Sequence, residues 1–221
     1  MSSVNWVCFG VFLAGLGCLL MGFHDGEVPH EVPQEGRPFL VLKSLPLDAH
    51  AYCDEARMLV RKGIPAKYGP EEWDSVVLTH ELHQHLGIYT TLGAKMGVRA
   101  RELLSAPMRS VHVIAETGRE QPLACMVDGI QVALASTLAQ GLIELPDSDS
   151  PSPSATFRHG DKTVRLRLKD DAADRVQEII RRASKAHGFQ SPAYFEAIEA
   201  ESFDVWAEFD RHEVFEVVPA P

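Results

Sequence analysis

The stretch from Thr79 to Leu145 constrains this chain more than any other. It opens on a histidine cluster, His80-Glu81-Leu82-His83-Gln84-His85. A small-residue turn at Gly87 and a helical run over residues 92–104 follow. It closes on Cys125-Met126-Val127-Asp128-Gly129-Ile130-Gln131. Side chains able to hold a metal stand at both ends. Most of the rest reads as scaffold, linker or apolar leader.

His83 and His85 are two apart. On a helix that spacing rotates the rings about 200° from each other. In an extended segment, residues i and i+2 share a side. The break at Gly87 favours the second geometry, just ahead of a helix. Alternatively, His80 and His83, three apart, share a helical face. A pair of imidazoles suits Zn, Ni, Cu or Fe. The plain alternative is a surface helix that happens to contain histidines. Cys125 has its own plain reading, since buried cysteines often act as small hydrophobes. Asp128 lies in an apolar run, where an unpaired carboxylate is costly. It must cap a helix, pair, or face a cleft.

Residues 4–23 are apolar or neutral throughout. About twenty such residues at 1.5 Å rise match a hydrocarbon core of roughly 30 Å. We expect residues 1–23 to be a hydrophobic helix, read as a transmembrane anchor or signal segment. The absence of Lys and Arg from Met1-Ser2-Ser3 favours an uncleaved anchor. The soluble part is then expected outside the cytoplasm. Residues 24–45 form a tether with Pro29, Pro33, Pro38 and several Glu, ending in a short strand over residues 39–42. Residues 46–145 form the core, 146–155 a Pro/Ser linker loop, and 156–221 a C-terminal α/β portion.

Within those limits, periodicity predicts helices over 46–62, 71–82, 92–104, 125–138, 170–186 and 193–200. Strands are predicted over 110–116 and 214–218, with a hairpin (156–159, 164–168) around Gly160-Asp161. In the helix over 92–104, Leu92, Met96, Ala100 and Leu103-Leu104 form the apolar stripe. Lys95, Arg99, Arg101 and Glu102 form the other face. Gly93 and Gly97, four apart, predict close packing against another backbone.

Net charge of -10 argues against nucleic acid, whose binders carry a basic patch. Of the 4 cysteines, only Cys53 and Cys125 lie beyond the leader, and no Cys-x-x-Cys occurs. That excludes a zinc ribbon and a disulfide framework.

Two blocks carry a family resemblance. His83-Gln84-His85-Leu86-Gly87-Ile88-Tyr89, followed by Leu92-Gly93-Ala94-Lys95-Met96-Gly97, resembles the His-Gly-His-Leu-Gly-Pro-Tyr…Leu-Gly-x-x-Met-Gly signature of the FmdE family, proteins named for their link to formylmethanofuran dehydrogenase. Cys125-Met126-Val127-Asp128-Gly129-Ile130-Gln131 is similar to that family's second block. The resemblance implies an α+β fold, helices packed on an antiparallel sheet. It implies a metal-binding cleft with His83, His85 and Cys125 as ligands, and with His80, Tyr89, Gln131, Ser136 and Thr137 lining it. The metal would be Zn first, with Ni or Fe as alternatives. Where the family often has Gly-Cys-Thr-x-Gly-Lys-Gly-Asn, this chain has Ala135-Ser136-Thr137-Leu138-Ala139-Gln140-Gly141-Leu142. A thiolate and a lysine are replaced there.

Three functions follow as expectations. The first is a membrane-anchored, metal-binding accessory protein that takes a small-molecule ligand. The second is a structural or interaction subunit of a membrane complex, with a degenerate site. The third is a metal-dependent enzyme linked to one-carbon metabolism, with Asp128 as base. The resemblance also suggests a homodimer.

Overall fold

The computed structural model describes Leu45 and residues 48–220. The predicted leader over residues 4–23 and the strand over 39–42 lie outside the described residues. The described residues belong to one compact unit.

The described chain begins with a 3-10 turn, Ala49–Ala51, capped by Asp48, whose side chain accepts from the His50 amide at 3.0 Å. Three helices follow: α1 (Asp54–Arg61), α2 (Ile64–Tyr68) and α3 (Pro70–His83). The single helix predicted over 46–62 is therefore broken. Tyr52 is extended, and its ring packs edge-on against Trp73 at 5.4 Å. That contact turns the chain before α1 starts. Next come α4 (Ile88–Leu104), β1 (His112–Ala115), α5 (Met126–Leu134) and β2 (Ile143–Glu144). The hairpin β3 (Ser154–His159) and β4 (Lys162–Leu168) precedes α6 (Asp170–His187), α7 (Pro192–Glu208) and β5 (Phe215–Val218). α7 runs well past the predicted end at residue 200, because Phe203, Val205 and Trp206 continue its buried face.

The architecture is α+β. The strands form one five-stranded sheet in the order β2-β1-β3-β4-β5. It draws strands from both sides of the 146–155 loop. The sheet is mixed and not purely antiparallel, because β1 and β2 pair in parallel, Val113 opposite Ile143. The connection between them carries the whole of α5, which is the crossover length a parallel pair needs. All other pairs are antiparallel. Alternation along β4 turns Val164, Leu166 and Leu168 into the core.

α4 is the hub. It touches α3, α5, α7, β3 and β4. Every residue from Ile88 to Val98 is buried, so the helix starts four residues earlier than its apolar stripe suggested, and it has no solvent face over most of its length. Lys95, predicted on the outer face, is fully buried (0%) beside an equally buried Glu72, Nζ to Oε1 2.5 Å. The correction has a physical reason. Arg211 donates to the second Glu72 oxygen at 2.9 Å and to the Tyr68 carbonyl at 2.7 Å, and Lys95 also sits 4.2 Å from the centre of the Tyr68 ring. Burial pushes the Lys95 ammonium below its ordinary value, and the Glu72 carboxylate opposes that shift. Such a pair adds little net stability but costs about 3–5 kcal/mol when one partner is removed. It ties α3, α4 and the segment after α7 into one arrangement.

The α4–α5 contact is made by backbone. A Cβ at Gly93 would lie 1.9 Å from the Met126 carbonyl oxygen, and one at Gly129 would lie 2.2 Å from the Thr90 carbonyl oxygen. At Gly97 the obstacle is a side chain, the Ala133 Cβ at 2.7 Å. Gly93→Ala is therefore expected to destabilise by about 3 kcal/mol or more, the upper end for overpacking. No side-chain change can rescue it, whereas Gly97→Ala is expected to recover in part when combined with Ala133→Gly. Urea denaturation of the four variants checks this. Equal rescue of both glycine variants by Ala133→Gly would refute the backbone contact.

Candidate functional site

The two histidines of the first block straddle the end of α3. His83 is its last residue, and Gln84 closes the helix in a left-handed conformation (φ 57°), its amide donating to the His80 carbonyl. The chain then bends at His85 and is extended at Gly87 before α4 begins. His85 therefore occupies the pre-helical position anticipated from the break. The rings of His83 and His85 lie with centroids 5.8 Å apart.

A single carbonyl organises the cluster. The His85 carbonyl oxygen accepts from Nδ1 of His83 at 3.1 Å and from Nδ1 of His80 at 3.3 Å. Nδ1 of each ring therefore carries a proton. Nε2 of His80 meets the Thr91 hydroxyl at 3.0 Å. His80 is a scaffold residue beneath the site. Burial pushes its pKa down to about 3. For His83, Nε2 faces Oδ2 of Asp128 at 3.7 Å. Asp128 lies in the first turn of α5, 39% exposed, and its carboxylate stands against His83 at the edge of a cleft.

That cleft has a volume of about 260 Å3. His83, His85, Tyr89 and Thr90 contribute one wall, from the α3–α4 junction. Cys125, immediately before α5, contributes a second, with Gln121 and Pro122. Because Gly93 and Gly129 let the helices meet at their backbones, the start of α5 is held against the start of α4. The Cys125 thiol is pushed up, first by burial and then by the Asp128 carboxylate. Burial lowers the His85 imidazole, and His83 beside it acts in the same direction. Burial also raises the phenols of Tyr89 and Tyr194.

Of the residues named from sequence, His83, His85, Tyr89 and Cys125 line this one cleft, and Asp128 borders it. Gln131, Ser136 and Thr137 stand elsewhere. Gln131 accepts from the Leu138 amide at 3.2 Å, and Ser136 donates to the Val111 carbonyl at 2.9 Å. Thr137 caps the 3-10 turn Leu138–Gln140 in a capping box with Gln140. All three hold the passage from α5 to β2. The wall that the sequence did not reveal comes from α6, α7 and the loop between them: Ile180, Phe189, Gln190, Tyr194, Phe195 and Ile198. One signal was available. Phe189, between Gly188 and the Ser191-Pro192 start of α7, is a large aromatic where a turn has no core to fill.

The donor set suits a borderline metal. His83 shows the arrangement typical of ligating histidines, one ring nitrogen tied to a carbonyl and the other directed outward. Two imidazoles on one tetrahedral ion at about 2.0–2.1 Å have centroids roughly 5 Å apart, close to the separation seen here. A carboxylate beside a thiol held protonated by burial is a pairing that a divalent cation would reverse. Among the described residues, however, no three His, Cys, Asp or Glu side chains already stand close enough together to hold an ion.

The model of the FmdE family, described by its place in the molybdenum formylmethanofuran dehydrogenase operon, matches residues 82–211. That span exceeds half the chain. It contains His83, His85, α4 to α7 and strands β1 to β4. The chain belongs to the FmdE family. No curated protein matches it.

His80 carries a prediction. Its pKa falls from 6.5 in the unfolded chain to about 3 in the folded one. Between these values the unfolded state binds more protons, so stability present above pH 6.5 declines as pH falls toward 3. His80→Gln is expected to flatten that part of the stability–pH curve. Chemical denaturation at pH 7.5 and pH 5 checks this. An unchanged pH slope in the variant would contradict a buried neutral His80.

Proposed function

We propose that this member of the FmdE family is an accessory protein whose cleft holds a transition metal, zinc first, through Nε2 of His83 with His85 and Cys125. One observation carries the reading. The hydrogen bond from His83 Nδ1 to the His85 carbonyl directs the other nitrogen of the ring outward, opposite Asp128 and in the same cleft as Cys125. A zinc ion bound there would supply Lewis acidity and an open position for a ligand atom. The protein's own part is to fix the imidazole, to offset the cation's charge with Asp128, and to restrict water with the apolar wall from α6 and α7. Small adjustment of the three donors is required, and the α3–α4 junction, which is not regular helix, is where it would occur.

The full-length chain is expected to bind about one zinc with three or four protein ligands, the usual set for such a site. The double variant His83→Ala, His85→Ala is expected to lose it, with the fold retained because neither ring is in a hydrophobic core. Elemental analysis after loading decides. A parent chain that takes up neither Zn, Ni nor Fe ends this reading.

We further infer that the apolar run Val4–Phe23 anchors the protein in a membrane, on the strength of its length and lack of charge. Among the described residues no helix is long and apolar enough to cross a membrane. Fractionation of cells expressing the full chain and a chain lacking residues 1–23 checks the inference. The full chain is expected in the membrane fraction and the shortened one outside it. The same distribution for both would overturn the anchor.

A further inference from the structure

The α6–α7 wall of the cleft is unlike the histidine wall. Its aromatic rings form a continuous edge-to-face series. Phe189 meets Tyr194 at 5.3 Å, Tyr194 meets Phe195 at 5.5 Å, and Phe195 meets His85 at 4.9 Å. Interplanar angles of 67° to 77° keep each ring nearly perpendicular to the next. The series runs from the imidazole end of the cleft to the loop before α7. Phe189 remains 49% exposed and Phe195 39%. Two large aromatics beside a concave site, not withdrawn into the core, offer edges and faces to whatever enters.

Charge narrows the occupant. Among the described residues, no Lys or Arg lines the cleft. The Asp128 carboxylate stands 3.7 Å from His83 Nε2 at the imidazole end of the cleft. A phosphate- or carboxylate-bearing ligand would be desolvated with no cation to meet it. Size narrows it further. A volume of about 260 Å3 falls below the range of pockets for drug-sized ligands, so one ring or two fused rings fit. The polar groups at the solvent side are two neutral amides, Gln190 Nε2 donating to Gln121 Oε1 at 3.1 Å. They link the segment before α5 to the α6–α7 loop and present amide donors and acceptors to a polar edge.

We propose that the cleft binds an uncharged aromatic molecule of one or two fused rings, packed against Phe189, Tyr194 and Phe195 with its polar edge toward Gln121 and Gln190. The inference rests on the cleft assigned above as the ligand site, but not on a metal being bound there. Ring faces against ring edges are the favoured aromatic contact, and the four-ring series offers several such contacts at once.

The test reads access to Cys125, which shares the cleft. Full-length chain is treated with EDTA and alkylated with iodoacetamide. The rates at Cys125 and at the exposed Cys53 are followed by peptide mass spectrometry, Cys53 being the internal control. Indole is the probe, with benzoate as its anionic counterpart. A molecule of indole's size binds at about millimolar Kd, so about 5 mM indole is expected to slow Cys125 about sixfold. Cys53 is expected not to change, benzoate not to protect, and Phe195→Ala to lose the protection. Phe189→Ala carries the test should the first variant misfold. Indole without effect on Cys125, equal protection by benzoate, or protection that survives in both variants would each overturn the proposal. Zinc uptake is scored separately. A chain that binds no zinc but is protected by indole removes the metal reading and keeps this one, and zinc uptake without indole protection does the reverse.

Discussion

The contact between α4 and α5 is the constraint on which the rest depends. Two helices ordinarily meet through side chains, with axes about 8–10 Å apart. Here Gly93 and Gly129 leave so little room that an added methyl would overlap a backbone carbonyl on the opposite helix. The closeness is functional in its geometry. α4 begins immediately after the histidine turn, and α5 begins immediately after Cys125. Pressing the two helices together at Gly93 against Met126 and at Gly129 against Thr90 superimposes their beginnings. Two blocks some forty residues apart in sequence thereby share one cleft. A wider crossing would leave His83 and Asp128 beyond reach of each other.

Much of this was legible. Gly93 and Gly97 at helical spacing announced close packing, and the structure supplies the partner, α5. The His-x-His pair required a non-helical position for one ring, and Gln84 in the left-handed conformation provides it. The hairpin around Gly160-Asp161 and the helix from Asp170 follow their periodicity closely. What escaped was tertiary. Lys95 reads as surface by any hydropathy argument, and only the buried Glu72 and the Tyr68 ring make its position tenable. The sense of β2 against β1 depends on where α5 packs, which no local pattern states. Gln131, Ser136 and Thr137 belong to the second block by position, yet their polar groups face the backbone they support. The aromatic wall lies 64 to 70 residues beyond Cys125, at and beside helices whose own apolar stripes point to the core.

The site's electrostatics follow from how the chain uses its cations. The lysine of α4 is committed to the buried pair with Glu72, and Arg211 is committed to Glu72 and Glu102. At the position where related sequences carry a lysine near the second block, Gln140 serves a capping box instead. The cleft is left with imidazoles, a thiol, phenols and a carboxylate. Such a set has lone pairs to offer and no fixed positive charge. An anion entering it would lose its hydration without meeting a lysine or arginine.

The His85 carbonyl links this chemistry to the fold. A carbonyl oxygen has two lone pairs, and both are engaged, one by His80 and one by His83. The buried ring and the cleft-facing ring therefore fix the orientation of the same peptide unit. His80 is held in turn by the Thr91 hydroxyl, one turn into α4. The orientation of the His83 ring thus depends on a chain of hydrogen bonds that ends in the helix whose glycines bring Cys125 and Asp128 alongside. Loss of the α4–α5 contact would move both ends of that chain together: the donors from α5 would withdraw, and the carbonyl that orients His83 would lose the helix that positions it. Scaffold and site are the same set of contacts here, which is why the features that specify this cleft are glycines and a peptide carbonyl as much as the histidines themselves.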